Sequence, residues 1–242
     1  MNRSDVPPGY GYRPARSPLA TIVWWASIDT DGSYTDAATE FWGLSFGLLG
    51  DDTPTATLVG PATRPRTLEL PAGQVHWGVE LAPHVFLRGI DVKPVDEFRE
   101  LETDGDWFLL GGTRYPVPDL DGLERLVDSL ASQGALVAEP LVERALDGRS
   151  VPGAERTVRR IVTETAGIGR KNVEQIRRAR TAYRLLHAGL SAAEAATQAG
   201  YTDQSHMTRD FRLFAGDTPG RILRGDGASP FDSRDVADSS NP

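Results

Sequence analysis

The sequence predicts an α+β protein in which a β-rich N-terminal domain is followed by an all-α C-terminal domain. Three observations predict it. Between residues 19 and 83, short aromatic or β-branched runs alternate with Gly, Pro and Asp punctuation, the pattern of a sheet of short strands. From 140 to 214, apolar residues recur at helical spacing, and capping residues or glycines bound each run. Charge divides along the chain in the same way. Residues 154–224 hold thirteen Lys and Arg against seven Asp and Glu, which leaves +6 there and −14 elsewhere in a chain of net charge −8.

Residues 1–18, rich in Pro, Gly and Arg, read as a flexible lead-in. The runs LATIVWWASI (19–28), EFWGLSFGLL (40–49), TATLVG (55–60), RTLEL (66–70) and QVHWGVEL (74–81) read as strands, separated by DTDGS, DDTP, GPATRP and LPAG. Together they predict a mostly antiparallel sheet, closed as a cupin-like barrel or packed as a sandwich. Residues 84–118 combine short helical stretches with Gly-Gly and Pro breaks. In DLDGLERLVDSLASQG (119–134), Leu120, Leu123, Leu126, Val127 and Leu130 fall at helical spacing and Gly134 is placed to end a connecting helix. The N-terminal domain is thus expected over 19–135.

The C-terminal domain is expected over 138–224. PLVERAL (140–146) is a short amphipathic helix, followed by the loop DGRSVPG and a second helix, ERTVRRIVTET (155–165), stopped at Ala166-Gly167. RKNVEQIRRARTAYRLLHAG (170–189) carries Val173, Ile176, Ala179, Tyr183 and Leu186 on one face, and Gly189 ends it. Ser191 is a good N-cap for 192–199, Gly200 turns the chain, and Thr202 or Asp203 caps QSHMTRDFRLF (204–214). Asp217-Thr218-Pro219 closes the unit, and residues 225–242, rich in Asp and Ser, read as a disordered tail.

Composition removes several function classes. Cysteine is absent, which excludes disulfides, thiolate metal sites and a cysteine nucleophile. No window approaches the roughly 18 uninterrupted apolar residues of a membrane span, and MNRSDVPPGYGYRP lacks the apolar stretch of a secretory signal. A cytoplasmic protein with no membrane partner is expected. The acidic average also conceals the basic C-terminal segment, and a local positive balance on helices is what polyanion binding requires.

The stretch 191–223 is the most informative. It reads as a short helix, a tight turn at Gly200 and a second helix, with Ala195, Ala196 and Ala199 small enough for a close helix crossing. Ala196-x-x-x-Gly200-Tyr201-Thr202-Asp203-Gln204-Ser205-His206-Met207-Thr208-Arg209-x-Phe211, followed by Gly216-x-Thr218-Pro219, resembles the signature of the AraC family of transcription regulators. The resemblance continues upstream through residues 174–180 to Arg156-Thr157-Val158-Arg159-Arg160 and covers roughly 140–224. It implies two helix-turn-helix units joined by a long helix. About 19 residues at 1.5 Å each give roughly 28 Å, close to the ~34 Å between successive major grooves on one face of a duplex.

By this resemblance the partner is double-stranded DNA. Arg156, Arg159 and Arg160 of the first unit, and Gln204, Ser205, Thr208 and Arg209 of the second, are the residues expected at bases or neighbouring phosphates. Arg pairs bidentately with guanine and Gln with adenine. Arg170, Lys171 and Arg212 are expected at phosphates, which position without specifying. Phe211, Phe214, Tyr183 and Tyr201 are expected in the core, and His206 to pack or cap near Met207. Two positions depart from the family pattern: Ala154 stands where a Ser-like cap often opens the first recognition helix, and DGRSVPG where a compact turn is usual.

Residues 19–135 also resemble, more loosely, the β-rich N-terminal domain of some AraC-like regulators. Val59-Gly60-Pro61-x-Thr63-Arg64-Pro65, Pro71-Ala72-Gly73 and Gly78-Val79-Glu80-Leu81 carry that likeness. It implies a small-molecule effector or a homodimer as partner, with RNA polymerase added for an activator. Trp24, Trp25, Phe41, Trp42 and Trp77 would either line an effector site or fill the sheet core. The competing class is a cupin-like metal-dependent enzyme with an accessory DNA-binding segment. Its only candidate ligands are His76, Glu80 and His84, with Gly78 where the second of a close His pair is expected. Methyl acceptors that carry a similar DNA-binding segment use reactive cysteines, which this chain lacks. No catalytic residue, cofactor or metal is therefore expected.

Overall fold

The computed structural model describes residues 5–89 and 96–224. The expected disordered tail, 225–242, lies outside the described residues, as does the start of the lead-in. A β-rich N-terminal region is followed by a helical C-terminal region, as the sequence pattern predicts. By contacts the chain falls into two compact units. The first holds residues 1–32, 41–61 and 70–169, and the second holds 33–40, 62–69 and 170 onward.

In the first unit, β1 (Tyr10–Pro14), β2 (Ala20–Ser27), β4 (Gly43–Leu48), β5 (Pro54–Val59), β7 (Val75–Leu81) and β9 (Phe98–Leu101) form a six-stranded sheet in the order β1-β2-β7-β4-β5-β9. Each neighbouring pair is antiparallel. The central strands β4 and β7 are buried along nearly their whole length, which suits their apolar runs GLSFGL and VHWGVEL. Helix α1 (Leu123–Ser132) places Leu123, Leu126, Val127 and Leu130 in one core with Val23, Phe46, Trp77 and Phe108. Trp77 is fully buried and satisfies its indole N–H on the Pro118 carbonyl at 3.0 Å. Trp42 is buried with it, while Trp24, Trp25 and Phe41 are half-buried.

Two expectations differ from what the fold shows here. Part of the lead-in, 10–14, is an edge strand: Tyr10 and Tyr12 pair with Ala26 and Trp24, and Arg13 forms an ion pair with Glu124 at 2.7 Å. Its Gly and Pro content reads as loop, yet an edge strand tolerates Pro because one side of its ladder is unpaired. Among the described residues of 84–118, that is 84–89 and 96–118, there are strands and no short helices. The strands are β8 (Val85–Leu87), β9, β10 (Thr103–Asp104), β11 (Trp107–Leu110) and β12 (Thr113–Pro116), with left-handed turns at Gly105 and Gly111-Gly112. β8 pairs with β13 (Leu136–Ala138). Strands of two to four residues are too short for a period of two to stand out.

The candidate metal ligands do not assemble. Among the described residues no group of three His, Asp or Glu is placed to hold a metal ion. His76 instead shares a hydrogen bond with Gln74 at 3.0 Å, and burial lowers its pKa. Gly78 has a packing reason: a Cβ there would come within 2.7 Å of the Leu44 carbonyl and of the Trp24 ring. Among the described residues no helix is long and apolar enough to cross a membrane.

The helical region begins within the first unit, with α2 (Pro140–Leu146) and α3 (Glu155–Ala166) packed on each other. The expected division of the chain falls at 135/138, whereas the contacts group these two helices with the sheet. The second unit contains α4 (Arg170–His187), α5 (Ala192–Gln198), α6 (Gln204–Phe214) and α7 (Pro219–Leu223). It also contains β3 (Gly32–Asp36) from Ser33 onward and β6 (Arg66–Leu70) up to Glu69, which pair as a two-stranded ribbon.

Candidate nucleic-acid interface

The second helix pair follows from its sequence almost residue by residue. Ser191 caps α5 with a reciprocal box: its hydroxyl accepts from the Glu194 N–H while the Glu194 carboxylate accepts from the Ser191 N–H at 3.0 Å. Hydrogen bonds from Ser191 hold the Glu194 carboxyl below the usual carboxylate range. At Gly200 the backbone turns left-handed, φ 80°, a conformation that favours glycine, and the Tyr201 N–H returns to the Ala196 carbonyl at 2.8 Å. Asp203 then caps α6, its carboxylate accepting from the His206 N–H at 2.7 Å. Ala195 and Ala196 are buried, as close crossing of α5 requires.

Helix α6 buries Met207, Asp210, Phe211 and Phe214, the spacing of one helical stripe. Its opposite arc carries the residues expected at DNA. At about 100° per residue, Gln204, Thr208, Arg212, Ser205 and Arg209 span about 140° of the helix, in that angular order. Gln204, Ser205, Arg209 and Arg212 are exposed, and Thr208 is half-buried, its hydroxyl donating to the Gln204 carbonyl at 2.9 Å. Neither Arg209 nor Arg212 meets an acid among the described residues. His206 packs edge-on against Tyr201, with ring centroids 5.1 Å apart.

The first helix pair has a different electrostatic character. Arg156, Arg159 and Arg160 all lie on the exposed arc of α3, opposite Val162, Thr165 and Ala166. Arg159 is bound to Glu155 at 2.5 Å and Arg160 to Glu164 at 2.8 Å, each one turn away on the same helix. Arg170 is likewise bound to Glu174 at 2.7 Å, whereas Arg156 and Lys171 meet no acid among the described residues. Ala154 gives α3 no side-chain cap, as the departure from the family pattern predicts. The helix ends at Gly167, φ 77°, where a Cβ would lie 2.9 Å from the Trp42 ring and 3.0 Å from Pro61.

Three features behind α6 escape the sequence reading. Asp210 is almost wholly buried and binds Arg178 of α4 at 3.1 Å, and the Arg178 guanidinium lies 4.5 Å from the Tyr201 ring centroid. Burial and the Asp210 charge raise the Tyr201 phenol well above its ordinary pKa, so it stays neutral. Glu40, 1% exposed, binds Arg180 at 2.9 Å and Arg177 at 3.3 Å, both on α4. Burial works to raise its pKa, but Arg180 and then Arg177 outweigh it and hold the carboxyl below the usual range. Finally, the Ala38 N–H donates to the Phe214 carbonyl at the end of α6, at 2.7 Å.

Comparison with known proteins agrees with this geometry where it is informative. Residues 153–225 match a family model described as a helix-turn-helix domain. No curated protein sequence matches the chain. A structure of ToxT from Vibrio cholerae is similar with a TM-score of 0.45 and 8% identity, over 89% of this chain and 98% of that one, a likeness too slight to carry an inference. Residues 153–225 are a helix-turn-helix domain, and the chain that carries it is a DNA-binding transcription regulator.

Proposed function

We propose that the protein recognises specific duplex sequences by inserting α6 into the major groove, with α3 as a second, backbone-weighted contact. The observation that carries this reading is the outer face of α6. It presents an amide, two hydroxyls and two arginines without acid partners among the described residues, on a helix capped at the end that leads into the groove. Gln204 in the first turn is placed to reach base edges, and Ser205 beside it can serve either groove edge or phosphate. Arg209 and Arg212 serve phosphates, or a base at full extension. On α3, Arg156 serves a base edge or a neighbouring phosphate, while Arg159 and Arg160 must leave Glu155 and Glu164 to reach a phosphate. Arg170 and Lys171 at the start of α4 add phosphate contacts.

The DNA-binding domain is assigned to 138–224 and the effector-sensing or dimerising role to 19–135, with a small molecule, a second copy of the chain and, for an activator, RNA polymerase as partners. The protein acts in the cytoplasm and has no catalytic role. The test uses the full chain and a duplex enriched by it from a random pool, with a scrambled duplex of equal length. Arg209→Ala is expected to weaken binding to both duplexes and to lower the slope of log affinity against log salt by about one. Equal affinities and slopes for the variant and the parent chain on both duplexes would contradict a phosphate role for Arg209.

A further inference from the structure

The second unit is not built from the C-terminal helices alone. Residues 33–40 and 62–69, which interrupt the strand order of the N-terminal region, belong to it by contacts. The two segments hold each other through paired hydrogen bonds between Thr39 and Ala62, at 2.9 and 2.8 Å, and through an ion pair between Asp36 and Arg66 at 2.6 Å that is largely shielded from solvent. From this ribbon two ties run into the helices, and they are of different kinds.

The first tie is the backbone bond from Ala38 to the Phe214 carbonyl. The last four carbonyls of a helix have no partner within it, and each left buried without one is costly. The ribbon therefore completes the C-terminal end of α6. The second tie is Glu40, whose buried carboxylate pairs with both Arg177 and Arg180, one turn apart on α4, the helix against which α6 packs. Arg178, between them in sequence, faces α6 and holds Asp210. Glu40 thus fixes one side of α4 while Arg178 fixes α6 to another.

We propose that the ribbon 33–40/62–69 is a coupling element and Glu40 a positioning residue for DNA binding: together they hold α4 and the end of α6 in the orientation that reads DNA. Each ribbon segment is covalently continuous at both ends with strands of the sheet unit, β2 to β4 across 33–40 and β5 to β7 across 62–69. A change of tension in the sheet therefore reaches the recognition helix through the chain itself, without any third element. The inference rests on α6 being the DNA-reading helix.

Hydrogen exchange of α6 in DNA-free, full-length protein, and titration of the enriched and scrambled duplexes, test it together. The variants are Glu40→Gln, Arg180→Gln, the double Glu40→Gln/Arg180→Gln, and Ala38→Pro, which removes the N–H donated to Phe214 without touching any charge. Glu40→Gln and Arg180→Gln are each expected to speed exchange in α6 and weaken enriched-duplex binding about tenfold or more. The double variant should recover part of both losses, because the only charge of the three then remaining is Arg177, the most exposed of them. Ala38→Pro should speed exchange in the last turn of α6 and weaken binding while Glu40 is intact. Where Glu40→Gln does not fold, Ala38→Pro and Arg180→Gln carry the test. Unchanged α6 exchange in these variants would overturn the proposal, as would losses in the double variant that simply multiply. Altered exchange with unchanged DNA binding would instead leave the ribbon's hold on α6 standing and show that α6 is not the reading helix.

Discussion

Affinity of the full chain for its enriched duplex is expected to fall about 6,000-fold between roughly 50 and 200 mM monovalent salt. The figure follows from counterion release, in which log affinity falls with log salt at a slope of about −0.9 per neutralised phosphate. Seven cations are candidates for DNA: Arg156, Arg159, Arg160, Arg170, Lys171, Arg209 and Arg212. Three of them, Arg159, Arg160 and Arg170, are held by Glu155, Glu164 and Glu174 on their own helices. If those three stayed there, the remaining four would give a loss of only about 150-fold by the same relation. Such exposed pairs are worth only about 0.3–0.5 kcal/mol, so a phosphate readily displaces the carboxylate. The larger figure is therefore the expected one. A titration that returns the smaller figure would mean that α3 contributes Arg156 alone. Independence from salt would contradict DNA binding by these helices altogether.

The largest effect of a single substitution on the second unit is expected at the Arg178–Asp210 pair. Arg178→Ala leaves the Asp210 carboxylate, 8% exposed as a side chain, without its counter-ion inside the α4–α6 contact. Losses of about 3–5 kcal/mol accompany the breaking of such buried pairs. Asp210→Ala should cost less, about 2–3 kcal/mol, because Arg178 is 27% exposed and keeps the face of Tyr201. The ordering is the diagnostic feature. All five Trp residues, at 24, 25, 42, 77 and 107, lie in the first unit. Loss of helical circular dichroism without a matching change in Trp fluorescence therefore reports the second unit separately. Equal, small losses for both variants would show that the pair is solvated and does not fix α6.

The sequence displays what local physics decides. The five strand runs and the six helices from 119 to 214 are found within a few residues of their predicted bounds, because their periods, caps and glycines act over neighbouring positions. The lead-in strand at 10–14 and the short strands after 84 are not legible, since each is held by partners far along the chain rather than by its own pattern. On α6, the exposed arc follows from helical spacing alone. Asp210 was a readable warning: an acid at an inward position of the stripe 207, 210, 211, 214 requires a buried cation. The pairs at 155/159, 160/164 and 170/174 are equally readable as i,i+4 spacing. Glu40 is different. Its partners lie 137 and 140 positions away, and nothing in a strand-rich stretch of sequence assigns it to a helical unit.

The most direct test of α6 as the reading helix is to select preferred duplexes from one random pool with the full chain and with Gln204→Ala, and to compare the two sequences base by base. Gln204 is exposed in the first turn of α6 and meets no side-chain partner among the described residues. The expected result is an unchanged site except at one base pair, where preference is lost. Affinity for the parent site should fall by about 1–3 kcal/mol, and affinity for a scrambled duplex should hold. An identical selected sequence, with affinity for both duplexes reduced equally or not at all, would contradict base reading by Gln204 and the placement of α6 in the groove.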